Sequence, residues 1–234
     1  MSRGVEKPLV PGPDDWDPTD PKELGDKIKK DTLEAFDRTA ETKREAFLAE
    51  LGESGESRDE GISQAQIEAL SEALGIPQEE LEKRISTIEV GGKSGEELIS
   101  EIERAGMKVG DHAKSILKSP EFVPGEKPEQ TTLVRLTVAD LGFTKGATLK
   151  EIYTKAKELG LELCPPDTGP HLRLQTPEQP LERASFVAMN PIADSHGALS
   201  LFLVAHGRGA RWLSSDWGSP ERLCYPEDEF VFAG

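Results

Sequence analysis

The sequence predicts an α+β protein. A helical N-terminal half, with short helices and one long amphipathic helix, precedes a C-terminal, mostly antiparallel sheet with one main helix. Up to about residue 118, apolar residues recur at helical spacing and several runs begin with a capping box. After residue 130, short alternating runs separated by glycine and proline turns dominate, which is typical of strands. A single helix among local strands favours a sheet with that helix on one face.

Composition divides the chain into successive segments. Residues 1–21 combine prolines with acidic residues and predict a disordered tail, because they cannot bury enough apolar surface to offset the entropy of ordering. Residues 22–118 are predicted to be helical. They begin with a long helix whose apolar stripe is thin, and a linker at about 53–61 separates this helix from the shorter helices that follow. A proline-rich linker at 119–130 then leads into an α+β domain at 131–234.

Capping boxes mark the starts of three predicted helices. In each one, a serine or threonine and a glutamate or glutamine three residues later satisfy each other's backbone donors. The pairs are Ser63 with Gln66, Ser94 with Glu97, and Thr148 with Glu151. Glycines that tolerate a left-handed backbone are predicted to end these helices, namely Gly75, Gly106 and Gly160.

Two further short helices are predicted, one opening at Asp111 and one after Pro77 that contains Leu81 and Ile85. The latter follows a glycine turn and so has the outline of a helix-turn-helix. It opens with Gln78-Glu79-Glu80, however, and these carboxylates would repel DNA phosphates, so a plain helical hairpin is favoured. The run Gly-Gly-Lys-Ser at 91–94 predicts a turn and an N-cap rather than a phosphate loop, because no buried strand is expected before it.

Strands are predicted in the C-terminal domain from alternation and from turn residues. They are Leu161–Cys164, Pro170–Gln175 with Leu172 and Leu174 inward, Ser185–Asn190, Leu199–His206, Ala210–Ser214 and Glu229–Ala233. Gly207-Arg208-Gly209 predicts a hairpin between the fourth and fifth of these strands, because glycine allows the positive backbone angles of such turns.

Three runs of the C-terminal domain stand out, namely Leu141-Gly142-Phe143, Leu159 to Pro166 (LGLELCPP) and Gly169 to Gln175 (GPHLRLQ). In these runs the chain resembles a family of uncharacterised bacterial proteins. The resemblance continues through Trp217-Gly218 and residues 228–232. The resemblance implies a bacterial, cytoplasmic origin, and it implies no activity and no catalytic residues.

Charge and cysteine content restrict the classes of partner. The net charge is −16, of which −13 lies in residues 1–130 and −3 in residues 131–234. Nucleic acids and anionic membranes are therefore disfavoured, because binding to them relies on Lys and Arg. Two cysteines and the lack of an apolar signal segment favour the cytoplasm. No cofactor is predicted, and another protein or a small ligand is the expected partner.

Four residues are candidates for catalysis: His171, Asp194, His196 and His206. Asp194-Ser195-His196-Gly197 combines carboxylate, hydroxyl and imidazole, but neighbours on one tight turn point apart, so a turn explains the tetrapeptide better. No metal site is predicted, because none of the possible ligands stands at a short paired spacing. Those ligands are Cys164, His171, Asp194, His196, His206 and Cys224.

A binding face for an anion is predicted from the cations and aromatic residues of the C-terminal domain. Its members are Arg173, Arg208, Arg211, Trp212 and Trp217, with Tyr225 beside them. The leading hypothesis is a non-catalytic interaction or regulatory module. The alternatives are a hydrolase-type enzyme with a histidine-based or metal site in the C-terminal domain and a helix-turn-helix nucleic-acid regulator using residues 63–86.

Overall fold

The computed structural model describes residues 61–176, 183–207 and 209–234, together with three isolated helical positions, Thr42, Ala46 and Ala49. The predicted tail at 1–21, most of the predicted long helix and the predicted linker before Gly61 lie outside the described residues. The helices of the described part are α1 (Gln64–Leu74), α2 (Gln78–Glu82), α3 (Gly95–Arg104), α4 (Asp111–Leu117), α5 (Leu149–Glu158) and α6 (Thr168–Gln175).

A mixed sheet of eight strands forms the centre of the described residues. Its order is β1 (Ile85–Val90), β3 (Glu129–Thr137), β10 (Glu229–Ala233), β5 (Ala184–Val187), β7 (Leu199–Gly207), β8 (Ala210–Trp217) and β2 (Lys108–Val109), with β6 (Ile192–Ala193) also paired to β7. The pairs of β5 with β10 and of β2 with β8 are parallel, and the others are antiparallel. A separate pair joins β4 (Ala147–Thr148) to β9 (Leu223–Cys224). The α+β class is confirmed.

Two strands of this sheet, at residues 85–90 and 108–109, lie in the region that was predicted to consist of helices joined by turns, so the prediction of no strand there is wrong. Ile85, placed in a helix by the sequence analysis, begins β1 and pairs with Val134. The strand contains Thr87, Ile88 and Val90, whose branching at Cβ favours an extended backbone. The predicted linker at 119–130 therefore connects two parts of one sheet.

The three predicted capping boxes are confirmed. Each N-cap side chain accepts a hydrogen bond from the N3 backbone N–H, and each N3 side chain accepts one in return. All three predicted glycine ends are left-handed residues directly after the helix or its cap, namely Gly75 at φ 65°, Gly106 at φ 76° and Gly160 at φ 76°. The helix starts are therefore determined by side chains within four residues of each other.

Two predicted strands are wrong. Residues Pro170–Gln175 belong to helix α6, in which Pro170 occupies the first turn, where no backbone donor is needed. A Cβ atom added at Gly169 would lie 2.7 Å from the Cβ of Phe202 on β7, so the start of α6 packs closely on the sheet. Residues Leu161–Cys164 make only two isolated bridges, through Glu162 to Ala233 and through Cys164 to Met189.

The Gly-Gly-Lys-Ser run does follow a strand, because β1 ends at Val90 immediately before it. It nevertheless forms the predicted turn and N-cap. Ser94 is held in the capping box of α3, and Lys93 Nζ lies 2.6 Å from Glu101 Oε2. Gly91 has φ 88°, and a Cβ there would lie 2.1 Å from the Lys127 carbonyl oxygen, so a side chain is excluded.

None of the helices in the described ranges is long and apolar enough to cross a lipid bilayer.

Candidate metal centre

Helix α4 brings His112 to one side of the site. Strand β2, which immediately precedes α4, pairs with β8, and the Gly110 N–H donates to the Leu213 carbonyl oxygen at 2.9 Å. Ala113 and Ile116 are fully buried and hold the helix against the core. The His112 side chain lies at the start of α4 and is 63% exposed.

The turn between β6 and β7 supplies the other two residues, Asp194 and His196. Asp194 Oδ1 accepts hydrogen bonds from the backbone N–H groups of His196 at 2.8 Å and Ala198 at 3.0 Å. This arrangement is the Asx turn expected for the tetrapeptide. The Ser195 N–H donates to Ser115 Oγ at 2.6 Å, which ties the turn to α4.

The three side chains converge. His112 Nδ1 lies 3.0 Å from Asp194 Oδ2, and the rings of His112 and His196 have centroids 5.7 Å apart. One ligand atom from each residue lies within 4.8 Å of the others. In the part of the chain that the structure describes, no other group of three or more His, Cys, Asp or Glu side chains meets this criterion.

The Asp194 carboxylate is held in its ionised form. Its side chain is only 5% exposed. Burial by itself would raise the pKa of Asp194, but the N–H groups of His196 and Ala198, together with His112, outweigh burial, so the pKa lies below its ordinary value. One oxygen is occupied by the backbone, and Oδ2 faces His112. Asp194 is therefore a charged ligand with one oxygen directed at the cluster.

Two imidazoles and one carboxylate form a donor set that suits a transition metal. Zinc bonds to nitrogen and oxygen are about 2.0–2.2 Å long, so two ligands of one ion lie at most about 4.2 Å apart. The separation of up to 4.8 Å needs only a small rotation of an imidazole, which the exposed positions of His112 and His196 permit. The residues therefore fit a divalent ion.

A cleft of about 530 Å³ adjoins the cluster and shares Asp194 with it. Its walls come from α4 and the residues just after it, and from the turn that carries Asp194. Hydroxyl groups and two lysines line it, namely Ser115, Ser119, Ser195, Lys114 and Lys118. The cluster thus lies beside a space that falls within the usual size range of ligand pockets.

The other two predicted catalytic histidines lie apart from this cluster. His206 is on β7, opposite Arg211 of β8. His171 is on α6 and only 4% exposed, and its Nε2 finds no hydrogen-bond partner among the described residues. The Oδ1 atom of the fully buried Asp167, four residues earlier, also has no hydrogen-bond partner among the described residues. Neither histidine belongs to the group that could hold a metal.

The buried His171 predicts a pH dependence of stability. Burial lowers the pKa of His171, and the negative charge of Asp167 opposes this effect. Smaller contributions come from Lys93, Glu101 and Glu89. The unfolded chain, with an ordinary histidine pKa of about 6.5, binds a proton more readily than the folded state does, so stability falls as the pH drops below that value.

We expect His171→Gln to flatten this loss between about pH 7 and pH 5.5, because the side chain that titrates differently in the two states is gone. Urea unfolding at several pH values measures the slope. His206→Gln serves as the control and should retain the wild-type slope. An unchanged slope in His171→Gln would show that other groups cause the pH dependence.

The predicted Arg and Trp face is wrong in two respects. Arg173 is fully buried and donates to the carbonyl oxygens of Ala205 and Thr176, so it does not lie on a binding surface. Arg211 and Trp212 are consecutive residues of β8, and consecutive strand residues point to opposite faces. Burial, together with the charge of Arg211, lowers the pKa of Arg173 to about 10.

The other members of that face remain a prediction. Trp217 is 55% exposed and Tyr225 is 62% exposed. Lys108 Nζ lies 5.0 Å from the ring centroid of Trp212, so this ring makes a cation–π contact within the protein. Arg208 lies outside the described residues.

Both cysteines are buried free thiols. Burial raises the pKa of Cys164 to about 12 and that of Cys224 to about 11. Because the thiolate is the nucleophile, neither cysteine is suited to nucleophilic catalysis near neutral pH.

His112 is the residue that the sequence analysis missed. The chain has four histidines, and the other three are the ones named as candidates from the sequence. His112 and Asp194 are 82 residues apart, and no local pattern connects them. The small number of histidines was a usable signal, because each of the four could have been considered as a partner of the Asp194 carboxylate.

Comparison with protein-family models, with curated proteins and with solved structures found no match.

Proposed function

We propose that this protein binds a divalent transition-metal ion through His112, Asp194 and His196, and that this ion forms its functional centre. The convergence of the three ligand atoms within 4.8 Å carries the proposal. The low exposure and ionised state of Asp194 support it, because the negative ligand is already oriented before the metal arrives.

The donor set favours zinc or a similar ion over magnesium or calcium, which prefer oxygen ligands. Catalytic zinc sites commonly have three protein ligands and leave a further position for water or substrate. Iron(II) also binds to two histidines and one carboxylate. A cleft beside the cluster suits an ion with an open position.

This proposal corresponds to the hydrolase-type alternative of the sequence analysis. A metal ion with an open position supplies a Lewis acid that polarises a substrate oxygen or activates water. The protein itself orients Asp194 through the backbone N–H groups of the turn and presents a polar cleft beside the ion. The roles of interaction module and nucleic-acid regulator remain predictions.

Metal titration of the full chain tests the proposal. We expect one equivalent of Co²⁺ to bind with a change in its visible spectrum, and Zn²⁺ to displace it. His112→Ala and His196→Ala should each weaken binding by at least about 100-fold, since even the loss of an outer partner of a metal ligand costs about 10- to 100-fold.

His206→Ala is the matched control, because it removes an imidazole that is outside the cluster. It should bind the metal as the wild type does. The absence of stoichiometric binding in the wild type, or an equal loss in His206→Ala, would reject the proposed site.

A further inference from the structure

We infer that the cleft beside the metal cluster binds a phosphoryl group, as in a phosphate monoester, between the metal ion and the ammonium group of Lys118. This inference rests on the proposed metal site and names the class of ligand that the site would take. The cleft, its charges and its hydroxyl groups are the observations that carry it.

The position of the cleft is the first observation. Asp194 belongs both to the metal cluster and to the wall of the cleft. A ligand in the cleft therefore lies next to the ion. The volume of about 530 Å³ leaves room for a phosphoryl group together with a small organic substituent.

The lysines are the second observation. Lys114 and Lys118 are four residues apart, at α4 and its C-cap, and so lie on the same side of the helix. The Lys114 Nζ is 2.6 Å from Glu103 Oε1, which largely compensates its charge. Lys118 is exposed and makes no ion pair within residues 61–176, 183–207 and 209–234. Its ammonium group is the available cation of the cleft.

The charge balance makes anion binding depend on the metal. The carboxylates of Asp111, Asp194 and Glu103 contribute three negative charges, and Lys114 and Lys118 contribute two positive charges, for a net of −1. A divalent ion changes this to +1. The cleft should therefore repel an anion when the metal is absent and attract one when it is bound.

Hydroxyl groups account for the preference for a phosphoryl group. Ser115 Oγ accepts the Ser195 N–H, so its own hydrogen is left to donate, and Ser119 Oγ similarly accepts the Glu121 N–H at 3.3 Å. With Lys118 and the metal, these hydroxyls make four groups that attract the oxygens of an anion, whereas a carboxylate has only two oxygens to share among them. A phosphoryl group has three terminal oxygens to match them.

Titration of the full chain with inorganic phosphate, with and without one equivalent of bound Co²⁺, tests the inference, with the heat of binding in isothermal titration calorimetry as the measurement. We expect saturable binding by the loaded chain and none by the metal-free chain. Lys118→Gln should retain its Co²⁺ affinity and lose phosphate affinity about tenfold or more, because a charge-assisted contact is removed. Lys145→Gln, which removes an exposed ammonium from another loop, should behave as the wild type.

The outcomes separate the two proposals. If Lys118→Gln binds both Co²⁺ and phosphate as the wild type does, the phosphoryl site is rejected while the metal site stands. Acetate that competes as well as phosphate would also overturn the phosphoryl preference. If the wild type binds no Co²⁺, both proposals fail, and phosphate binding of equal strength without metal would reject the metal-dependent cleft.

Discussion

Asp194→Asn is expected to lose metal binding while the protein remains folded. The asparagine oxygen can still accept the N–H groups of His196 and Ala198, so the turn is preserved. The atom facing His112 then becomes an amide nitrogen, which cannot bind a metal. We expect metal affinity to fall at least about 100-fold. The free energy of unfolding should change by less than about 1 kcal/mol.

Asp194→Ala is the informative companion to this variant. It removes the acceptor of both backbone hydrogen bonds as well as the charge, so it should lose metal binding and about 2 kcal/mol of stability. Metal titration and urea unfolding of the same preparations measure the two effects separately. Asp228→Asn makes the same exchange in another turn, where the carboxylate accepts the Tyr225 N–H, and should bind metal normally. Normal metal affinity in Asp194→Asn would refute the ligand role of this residue.

Among the variants proposed for this protein, Phe230→Ala should cause the largest loss of stability. Phe230 is fully buried on β10, near the middle of the sheet order, and its ring stacks with Phe186 at 5.2 Å and with Phe232 at 6.1 Å between centroids. Replacing a buried phenylalanine by alanine costs about 3–5 kcal/mol, because both transfer free energy and packing are lost. This is a large fraction of the roughly 5–15 kcal/mol that stabilises most domains.

Urea unfolding followed by far-UV circular dichroism measures this loss as a lower midpoint at an unchanged slope. Tyr225→Ala is the control, since it removes an aromatic side chain that is 62% exposed. Its effect should stay within about 0.5 kcal/mol. Similar midpoints for Phe230→Ala and the wild type would mean that Phe230 does not belong to the core.

Local chemistry made much of the secondary structure predictable. The capping boxes at Ser63, Ser94 and Thr148 act over three residues, and the hairpin of β7 and β8 is encoded by two nearby glycines. Helix α6 was mistaken for a strand because Leu172 and Leu174 alternate. Its helical form places Gly169 against Phe202, a contact between residues far apart in the chain.

The sequence by itself determined the α+β class, most helix starts and the Asp194 turn, because each depends on residues close together in the chain. Only the tertiary structure decided that β1 joins β3, that Arg173 is buried and that His112 meets Asp194. The last contact requires β2 to pair with β8 and α4 to pack on the core. Burial and convergence depend on how distant segments pack together, and no local pattern specifies that packing.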